Sequence, residues 1–139
     1  MSKVPLEEYT RRIKKARELM NEQNIDALIV TDAISYFYFS GHKVPPNKSR
    51  PSIMILPIDG EPAIIVWEMD DSWAKLDKTK FPSWVDDRRF YPEVPFSVEQ
   101  PIDWGVRSLL EERMVHRGTI AIELGSDTRL GIPVNDFTR

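Results

Sequence analysis

Apolar residues near the amino terminus of the chain recur at intervals of three and four positions. The positions are Leu6, Tyr9, Ile13, Ala16 and Met20. An α-helix makes one turn in about 3.6 residues, so this spacing places the apolar side chains along one face. Pro5 is a residue type favoured in the first helical turn, and Asn24 is one that often ends a helix. The pattern predicts an amphipathic helix that begins near Leu6.

The other side of this helix is basic, with Arg11, Arg12, Lys14 and Lys15 close together. Acidic residues are interleaved with these bases, as is typical of a solvated helix face. We therefore interpret the basic side as an exposed surface rather than as a binding patch.

Short apolar runs separated by turn residues follow the helix. The run IDALIVTD, residues 25–32, is bounded by aspartates, as is typical of a strand buried on both faces. The run SIMILPIDGEPAIIVWE, residues 52–68, contains two β-rich segments around Asp59 and Gly60. An Asp-Gly pair between two such segments predicts a hairpin with a two-residue type I′ turn. A helix followed directly by a buried strand predicts an α/β fold.

The second half of the chain continues this alternation. Asp70 and Asp71 precede SWAKLDKTK, a short segment predicted to be helical and capped by the acids. The run WVDDRRFYP, residues 84–92, predicts a strand, and TIAIELGS, residues 119–126, predicts a last one. Between these strands, a helix that starts at Pro101 and ends near Gly118 is predicted from the spacing of Ile102, Val106, Leu109, Leu110 and Met114.

Length and charge narrow the classes of function. The chain has 139 residues, enough for a single domain, and a formal net charge of −3. Such a charge provides no cationic field for phosphates, so we expect no nucleic-acid partner. We also expect no membrane partner, because no apolar run approaches the roughly 20 residues of a spanning helix. The absence of cysteine fits a reducing compartment, and we expect the protein to be cytoplasmic.

Residues with catalytic or metal-binding spacing are not found in the sequence. The two histidines, His42 and His116, lie far apart and lack a metal-ligand pattern. Glycine-rich phosphate loops and a serine nucleophile motif are also missing. We interpret the acidic group Glu68, Asp70 and Asp71 as helix capping rather than as a metal site. We therefore assign no catalytic residue, metal ligand or cofactor to this chain.

The stretch ISYFYFSGH, residues 34–42, places four aromatic rings, Tyr36 to Phe39, in front of Gly41. Such rings form a ligand-stacking surface, a nucleic-acid platform or a piece of core. We interpret most of them as core, because burial of a large aromatic side chain contributes roughly 1.5 to 3 kcal/mol. The following loop, HKVPPNKSR, is polar and contains two prolines, which is typical of a functional surface loop.

Taken in order, the basic amphipathic helix, NIDALIVTD, YFSG and SRPSIMILPIDGEPAIIVWE form a series that resembles the N-terminal domain of the creatinase/prolidase/aminopeptidase P family. The resemblance runs from about Tyr9 through TIAIELGSD. The residues Tyr38 to Gly41 fit the family pattern, whereas Ser35 and His42 depart from it. The resemblance implies one domain, residues 1–139, with a ribonuclease H-like α/β fold. It also implies a mixed parallel and antiparallel sheet of about five to six strands with helices on both faces.

In this family a second, pita-bread domain holds the active site, generally with a dinuclear metal centre. The chain ends at IPVNDFTR, where the family would continue, so we expect an excised N-terminal domain whose catalytic domain is absent. The resemblance implies that the parent is a metal-dependent Xaa-Pro peptidase using Mn, Co or Zn. The N-terminal domain would then contribute to a homodimer and to the active-site entrance, with its own catalytic domain as partner.

The resemblance also implies two substrate contacts in the parent, Arg50 and His42. In creatinase-like members an arginine before the first hairpin strand reaches the substrate carboxylate, and Arg50 stands at that place. A guanidinium fork suits such a bidentate contact. Ser49, however, replaces the aromatic residue that creatinase carries there.

Other functions remain open at this stage. A creatinase-like or ectoine-hydrolase-like C–N hydrolase has the same N-terminal domain. The scaffold also serves in a histone-chaperone subunit without peptidase activity, so a non-enzymatic module for peptides or proteins is an alternative from another class. The loop from Lys43 to Arg50 is the expected site if the isolated domain binds a peptide or a small molecule.

Overall fold

The computed structural model describes residues 4–43, 52–67, 83–91 and 101–122, with side chains from residue 105 onward in the last range. The elements, in chain order, are α1 (Leu6–Glu22), β1 (Ala27–Val30), α2 (Ala33–Ser40), β2 (Ile53–Pro57), β3 (Ala63–Trp67), β4 (Asp87–Tyr91), α3 (Pro101–Glu112) and β5 (Ile120–Ile122). The helix predicted after Asp70 and Asp71 lies outside the described residues.

The strands form one mixed sheet of five strands in the order β4-β3-β2-β1-β5. The pairs β1 with β2 and β2 with β3 are antiparallel. The pairs β1 with β5 and β3 with β4 are parallel. The predicted mixed sheet is therefore confirmed.

Successive strand residues point to opposite sides of the sheet, so the sheet has two faces to bury. Helices cover both of them. On one side, Val106, Leu109 and Leu110 of α3 pack on Ile29, Ile55 and Ile65, among other sheet residues. On the other side, Ile13 and Met20 of α1 and Tyr36 of α2 pack on Val30, Met54, Leu56, Ile64 and Val66. The predicted flanking of the sheet by helices on both faces is confirmed.

The first helix follows its prediction closely. Pro5 precedes α1 with extended backbone angles, and the helix begins at Leu6. The helix ends at Glu22, and Asn24, two positions later, has a φ of 57° in the left-handed region. The amide of Ile25 then donates to the carbonyl of Met20 at 2.8 Å, which satisfies one of the final carbonyl groups of the helix.

The helix that follows Pro101 is shorter than predicted. It ends at Glu112, and Met114 is 86% exposed, so the predicted continuation to Gly118 is wrong. Met114 has a φ of 59°, and the amide of Val115 donates to the carbonyl of Leu110 at 3.0 Å. This helix end reverses the chain at a residue that the apolar spacing assigned to the core.

The predicted hairpin is confirmed, but its turn type is wrong. Residues 58–62 separate β2 from β3, and of the predicted turn pair only Gly60 has a positive φ, 96°. Proline cannot donate to a ladder, so Pro57 and Pro62 keep the strands from pairing up to a tight turn. Arg17 instead donates to the carbonyls of Pro57 and Gly60.

The aromatic stretch forms α2, and our assignment of most of its rings to the core is wrong. Tyr36 is fully buried, whereas Phe37 and Tyr38 are 45% and 43% exposed. Phe39 is half-buried against the same core. In a helix, residues three or four positions apart share a face, so Phe39 and Ser40 lie on the inward side with Tyr36, whereas Phe37 and Tyr38 point away from the core.

Candidate functional site at the end of α2

The segment predicted to carry function follows the end of α2 directly, so the geometry of this helix end determines where the segment begins. Asp32 accepts hydrogen bonds from the amides of Ile34 and Ser35 at the start of the helix. At the other end, the amide of Gly41 donates to the carbonyl of Phe37 at 2.9 Å, with a φ of 75° at the glycine. The helix is thus capped on both sides by residues adjacent to it.

A β-carbon at Gly41 would lie 2.7 Å from the hydroxyl oxygen of Tyr9. The first helix therefore packs directly on the residue that ends the second. Both the positive φ and this close approach require glycine at position 41.

The segment before β4 holds the last carbonyl groups of α2. The hydroxyl of Ser83 donates to the carbonyl of Ser40 at 2.7 Å, and the indole N–H of Trp84 donates to the carbonyl of Phe39 at 2.8 Å. The Trp84 ring also stacks on Tyr9, with centroids 6.0 Å apart. These contacts fix the end of α2 against two other elements of the fold.

His42, one of the two predicted substrate contacts, is only 5% exposed. Its Nδ1 lies 2.8 Å from the hydroxyl oxygen of Tyr36, and its backbone N–H donates to the hydroxyl of Ser40. Burial, and next the positive charge of Arg88, lower the pKa of His42 to about 4. The imidazole is therefore uncharged at neutral pH.

The other predicted contact, Arg50, lies outside the described residues. The sequence did not indicate that Tyr36 binds His42, because six positions and a helix end separate the two. It also gave no signal for Ser83 and Trp84, which reach α2 only through the folded sheet.

A group of charged residues joins β4 to α3. Arg113 binds Asp87 at 2.5 Å, and Arg89 binds both Glu112 at 2.5 Å and Asp87 at 3.1 Å. Burial raises the pKa of Asp87, but hydrogen bonds from the two guanidinium groups outweigh it and the pKa is lowered overall. These carboxylates are ion-paired and charged, which favours a structural role over acid-base chemistry.

Among the residues with described positions, no group of three or more His, Asp or Glu side chains is arranged to hold a metal ion. In the same part of the chain, no helix is long and apolar enough to cross a membrane.

An open groove of about 360 Å³ lies between α1 and α2. Its apolar walls include Leu19, Met20 and Phe39, and its cationic residues are Arg12 and Lys15. The Arg12 guanidinium lies 4.1 Å from the centre of the Tyr38 ring and donates to the Tyr38 carbonyl at 2.7 Å. Arg12 thus ties the two helices together at one end of the groove.

Solved structures of several peptidases have a similar fold. The N-terminal domain of Xaa-Pro dipeptidase from Lactobacillus brevis matches with a TM-score of 0.64 at 14% identity, over 91% of this chain and 83% of that one. Prolidase from Thermococcus sibiricus matches with a TM-score of 0.60 at 16% identity, over 94% of this chain and 30% of that one. A dipeptidase from Pyrococcus horikoshii OT3 matches with a TM-score of 0.59 at 19% identity, over 91% of this chain and 30% of that one. This chain therefore spans less than a third of the last two proteins, and identities this low show the fold alone.

Comparison of the sequence itself gives the family. No curated protein sequence matches the chain significantly. A family model described as the creatinase/prolidase N-terminal domain matches residues 12–131, which is most of the chain. The resemblance predicted from the sequence motifs is thus confirmed, and the chain belongs to the creatinase/prolidase N-terminal domain family.

Proposed function

We propose that this chain is the non-catalytic N-terminal domain of a metal-dependent Xaa-Pro peptidase of the aminopeptidase P or prolidase type. The match of the family model over residues 12–131 carries the proposal. The Xaa-Pro dipeptidase and prolidase structures with the same fold support the choice of peptidase over other members.

In this proposal the reaction takes place on a separate pita-bread domain of the parent protein. That domain would hold a dinuclear Mn, Co or Zn centre and would be the direct partner of this chain. This chain would contribute to a homodimer of the parent and to the entrance of the active site. We propose the cytoplasm as the compartment, on the basis of a sequence without cysteine.

The fixed end of α2 supports the role at the entrance. Hydrogen bonds from Ser83 and Trp84 to the last helical carbonyls hold the point from which residues 43–50 depart. The end of α2 therefore has a defined position in the fold, and Arg50 lies ten positions after Ser40 in the sequence. We propose that Arg50 is the direct contact to the substrate carboxylate. His42, buried and uncharged, would position the origin of the loop.

The proposal is tested by assaying the parent protein with Mn²⁺ on an Xaa-Pro dipeptide such as Ala-Pro. Ala-Ala serves as the matched peptide without proline, and creatine as the C–N hydrolase substrate. We expect turnover of Ala-Pro at least about 100-fold faster than of Ala-Ala, which corresponds to about 3 kcal/mol of transition-state discrimination. Turnover of creatine with no turnover of Ala-Pro would favour the C–N hydrolase, and bound metal with neither activity would favour a binding module.

A further inference from the structure

The floor of the groove between α1 and α2 is part of the β-sheet. Leu28 lies on β1, which has a neighbouring strand on each side, and yet its side chain is only half-buried. Val30 is on the same face of the same strand and is 1% exposed. The packed helices therefore cover the sheet at Val30 but leave a gap over Leu28, where the apolar floor of the groove is open to solvent.

The walls of the groove are also apolar. Leu19 of α1 is 46% exposed and Phe39 of α2 is half-buried, and both side chains line the groove. The lining extends along α1 from Arg12 to Gln23, which corresponds to about 16 Å of helix. A volume of about 360 Å³ spread over this length makes a narrow site, which an extended alkyl chain fits better than a bulky ring system.

One end of the groove is positively charged. Two of the basic residues that the sequence assigned to a solvated face, Arg12 and Lys15, line the groove there. Glu8 accepts hydrogen bonds from both Arg11 and Arg12, so one carboxylate is shared between two guanidinium groups. Among the described residues, Lys15 has no ion-pair partner, and none of those that line the groove is acidic. This end therefore has an excess of positive charge, although the whole chain has a net charge of −3.

We propose that this groove is a binding site for a medium-chain aliphatic carboxylate. The alkyl chain lies along the apolar walls over Leu28, and the carboxylate accepts hydrogen bonds from the Lys15 ammonium group. The Arg12 guanidinium is held in place by its hydrogen bonds to Glu8 and to the Tyr38 carbonyl, so it adds a fixed positive charge at the same end. Burial of the alkyl chain supplies the affinity, and the two cations select the charge of the headgroup.

The open shape of the groove limits the affinity. One side of the bound alkyl chain stays in contact with water, so we expect a dissociation constant on the order of 0.1 to 1 mM for decanoate. Between octanoate and decanoate we expect about a twofold gain in affinity per methylene, less than the roughly fourfold gain of full burial. The contact with Lys15 is exposed and weakens as ionic strength rises. The inference is independent of the proposed peptidase function, because it concerns binding to this chain alone.

Isothermal titration calorimetry of the 139-residue chain with decanoate at pH 7, below the concentration at which decanoate forms micelles, tests the inference. Decylamine has the same alkyl chain with the opposite charge, and butyrate has the same headgroup with a much shorter chain. We expect saturable binding of one decanoate per chain, at least about tenfold tighter than binding of decylamine. We expect no measurable binding of butyrate below about 10 mM, because its short chain buries little apolar surface.

Substitutions in the groove separate the contribution of the cation from that of the apolar wall. Lys15→Gln should weaken decanoate binding at least about fivefold without weakening decylamine binding. Lys14→Gln is the matched control, since Lys14 is an exposed lysine that does not line the groove, and we expect a change of less than about twofold. Leu19→Asp places a carboxylate in the wall and should weaken decanoate binding at least about tenfold. Leu6→Asp makes the same change at a leucine of α1 outside the groove and should have no such effect.

All four substituted positions are exposed, so circular dichroism should show the same fold for every variant. If Leu19→Asp does not fold, the comparison of Lys15→Gln with Lys14→Gln still decides. Equal affinity for decanoate and decylamine overturns the inference, as do equal effects of the two lysine substitutions. An absence of saturable decanoate binding up to about 10 mM also overturns it. An apparent affinity that falls as the chain concentration rises would mean that a second copy of the chain covers the groove, and this result would overturn the inference as well.

Discussion

The hydroxyl oxygen of Tyr36 lies 2.8 Å from Nδ1 of His42, and both side chains are buried beneath the end of α2. The two rings meet edge to face, with centroids 5.7 Å apart. Tyr36 belongs to the inward face of the helix, and His42 is the second residue after it. The contact therefore couples the packing of α2 on the sheet to the first residues of the segment that leads to Arg50.

Burial of an uncharged His42 makes the stability of the domain depend on pH. The pKa of His42 is about 4 in the folded state and about 6.5 in the unfolded chain, so between these values only the unfolded chain binds the proton. The contribution is fully present above pH 6.5 and is lost as the pH falls toward 4. We expect urea denaturation to give a free energy of unfolding about 2 kcal/mol lower at pH 4.5 than at pH 7 from this group alone.

The variant His42→Gln isolates this contribution, because it removes the titrating ring. We expect its free energy of unfolding to vary with pH less steeply between pH 7 and pH 4.5 than that of the unmodified chain. His116 is exposed, and His116→Gln is the matched control that should keep the original slope. Equal slopes for the unmodified chain and His42→Gln would contradict the buried, uncharged assignment.

Removal of the Tyr36 hydroxyl tests the hydrogen bond itself. Tyr36→Phe keeps the buried ring but takes away one partner of the imidazole, and we expect the free energy of unfolding to fall by about 1 to 2 kcal/mol. Tyr38→Phe makes the same chemical change on a ring that is 43% exposed, and we expect less than about 0.5 kcal/mol. Equal effects of the two variants in urea denaturation would show that the Tyr36 hydroxyl contributes nothing specific.

A glycine can be required by its backbone conformation or by a lack of space for a side chain, and a comparison of Gly41 with Gly60 distinguishes these two requirements. Both have positive φ angles, 75° and 96°, but a β-carbon would lie 2.7 Å from Tyr9 at Gly41 and meets nothing within 4 Å at Gly60. We expect Gly60→Ala to lower the free energy of unfolding by about 1 to 2 kcal/mol, the cost of the backbone conformation. Gly41→Ala should cost at least about 1 kcal/mol more, because the Tyr9 ring must also shift.

Tyr9→Phe removes the hydroxyl oxygen, which is the nearest of the atoms that a β-carbon at position 41 would meet. We therefore expect Gly41→Ala to be less destabilising in the Tyr9→Phe background than in the unmodified chain. The double-mutant cycle is measured by urea denaturation. Additive effects of the two substitutions would contradict a direct clash between these side chains.

Local patterns were enough to predict α1, the five strands and the start of α3, but they did not predict that the aromatic stretch forms the helix α2. The elements α1, β1, β2 and β3 depend on the spacing of apolar residues that are close together in the sequence. Each was therefore predicted from the sequence alone. The mixed arrangement of the strands came from the family resemblance. Errors arose where a distant contact decides the outcome. Arg17 on α1 holds the carbonyls of the hairpin connection, and the packing of α2 on the sheet selects which aromatic rings are buried.

The candidate site was less predictable than the fold for the same reason. The sequence indicated His42 as a polar residue at the start of a loop. Its hydrogen bond comes from Tyr36 within α2, and its lowered pKa comes from burial and from the positive charge of Arg88 in β4. The end of α2 is held by Ser83 and Trp84. These residues come together only when the parallel pair of β3 and β4 has formed.

Arg50 is the residue on which the proposed role at the entrance depends most directly. Arg50→Ala in the parent enzyme should raise KM for an Xaa-Pro dipeptide about tenfold or more. A charge-assisted hydrogen bond to a carboxylate contributes about 1.5 to 3 kcal/mol. We expect kcat to change less than about threefold, because the contact binds substrate and transition state alike. Arg50→Lys keeps the charge without the planar fork and should give an intermediate KM.

Two controls separate carboxylate recognition from a general effect on the loop. Lys48→Ala removes a positive charge two residues away and should leave KM within about twofold. The C-terminal amide of the same dipeptide has no carboxylate for Arg50 to bind, so Arg50→Ala should leave its KM unchanged. An equal rise in KM for the acid and the amide would mean that Arg50 supports the loop rather than contacting the substrate. Unchanged kinetics with both substrates would remove Arg50 from the site, and the entrance role would then rest on the segment's position alone.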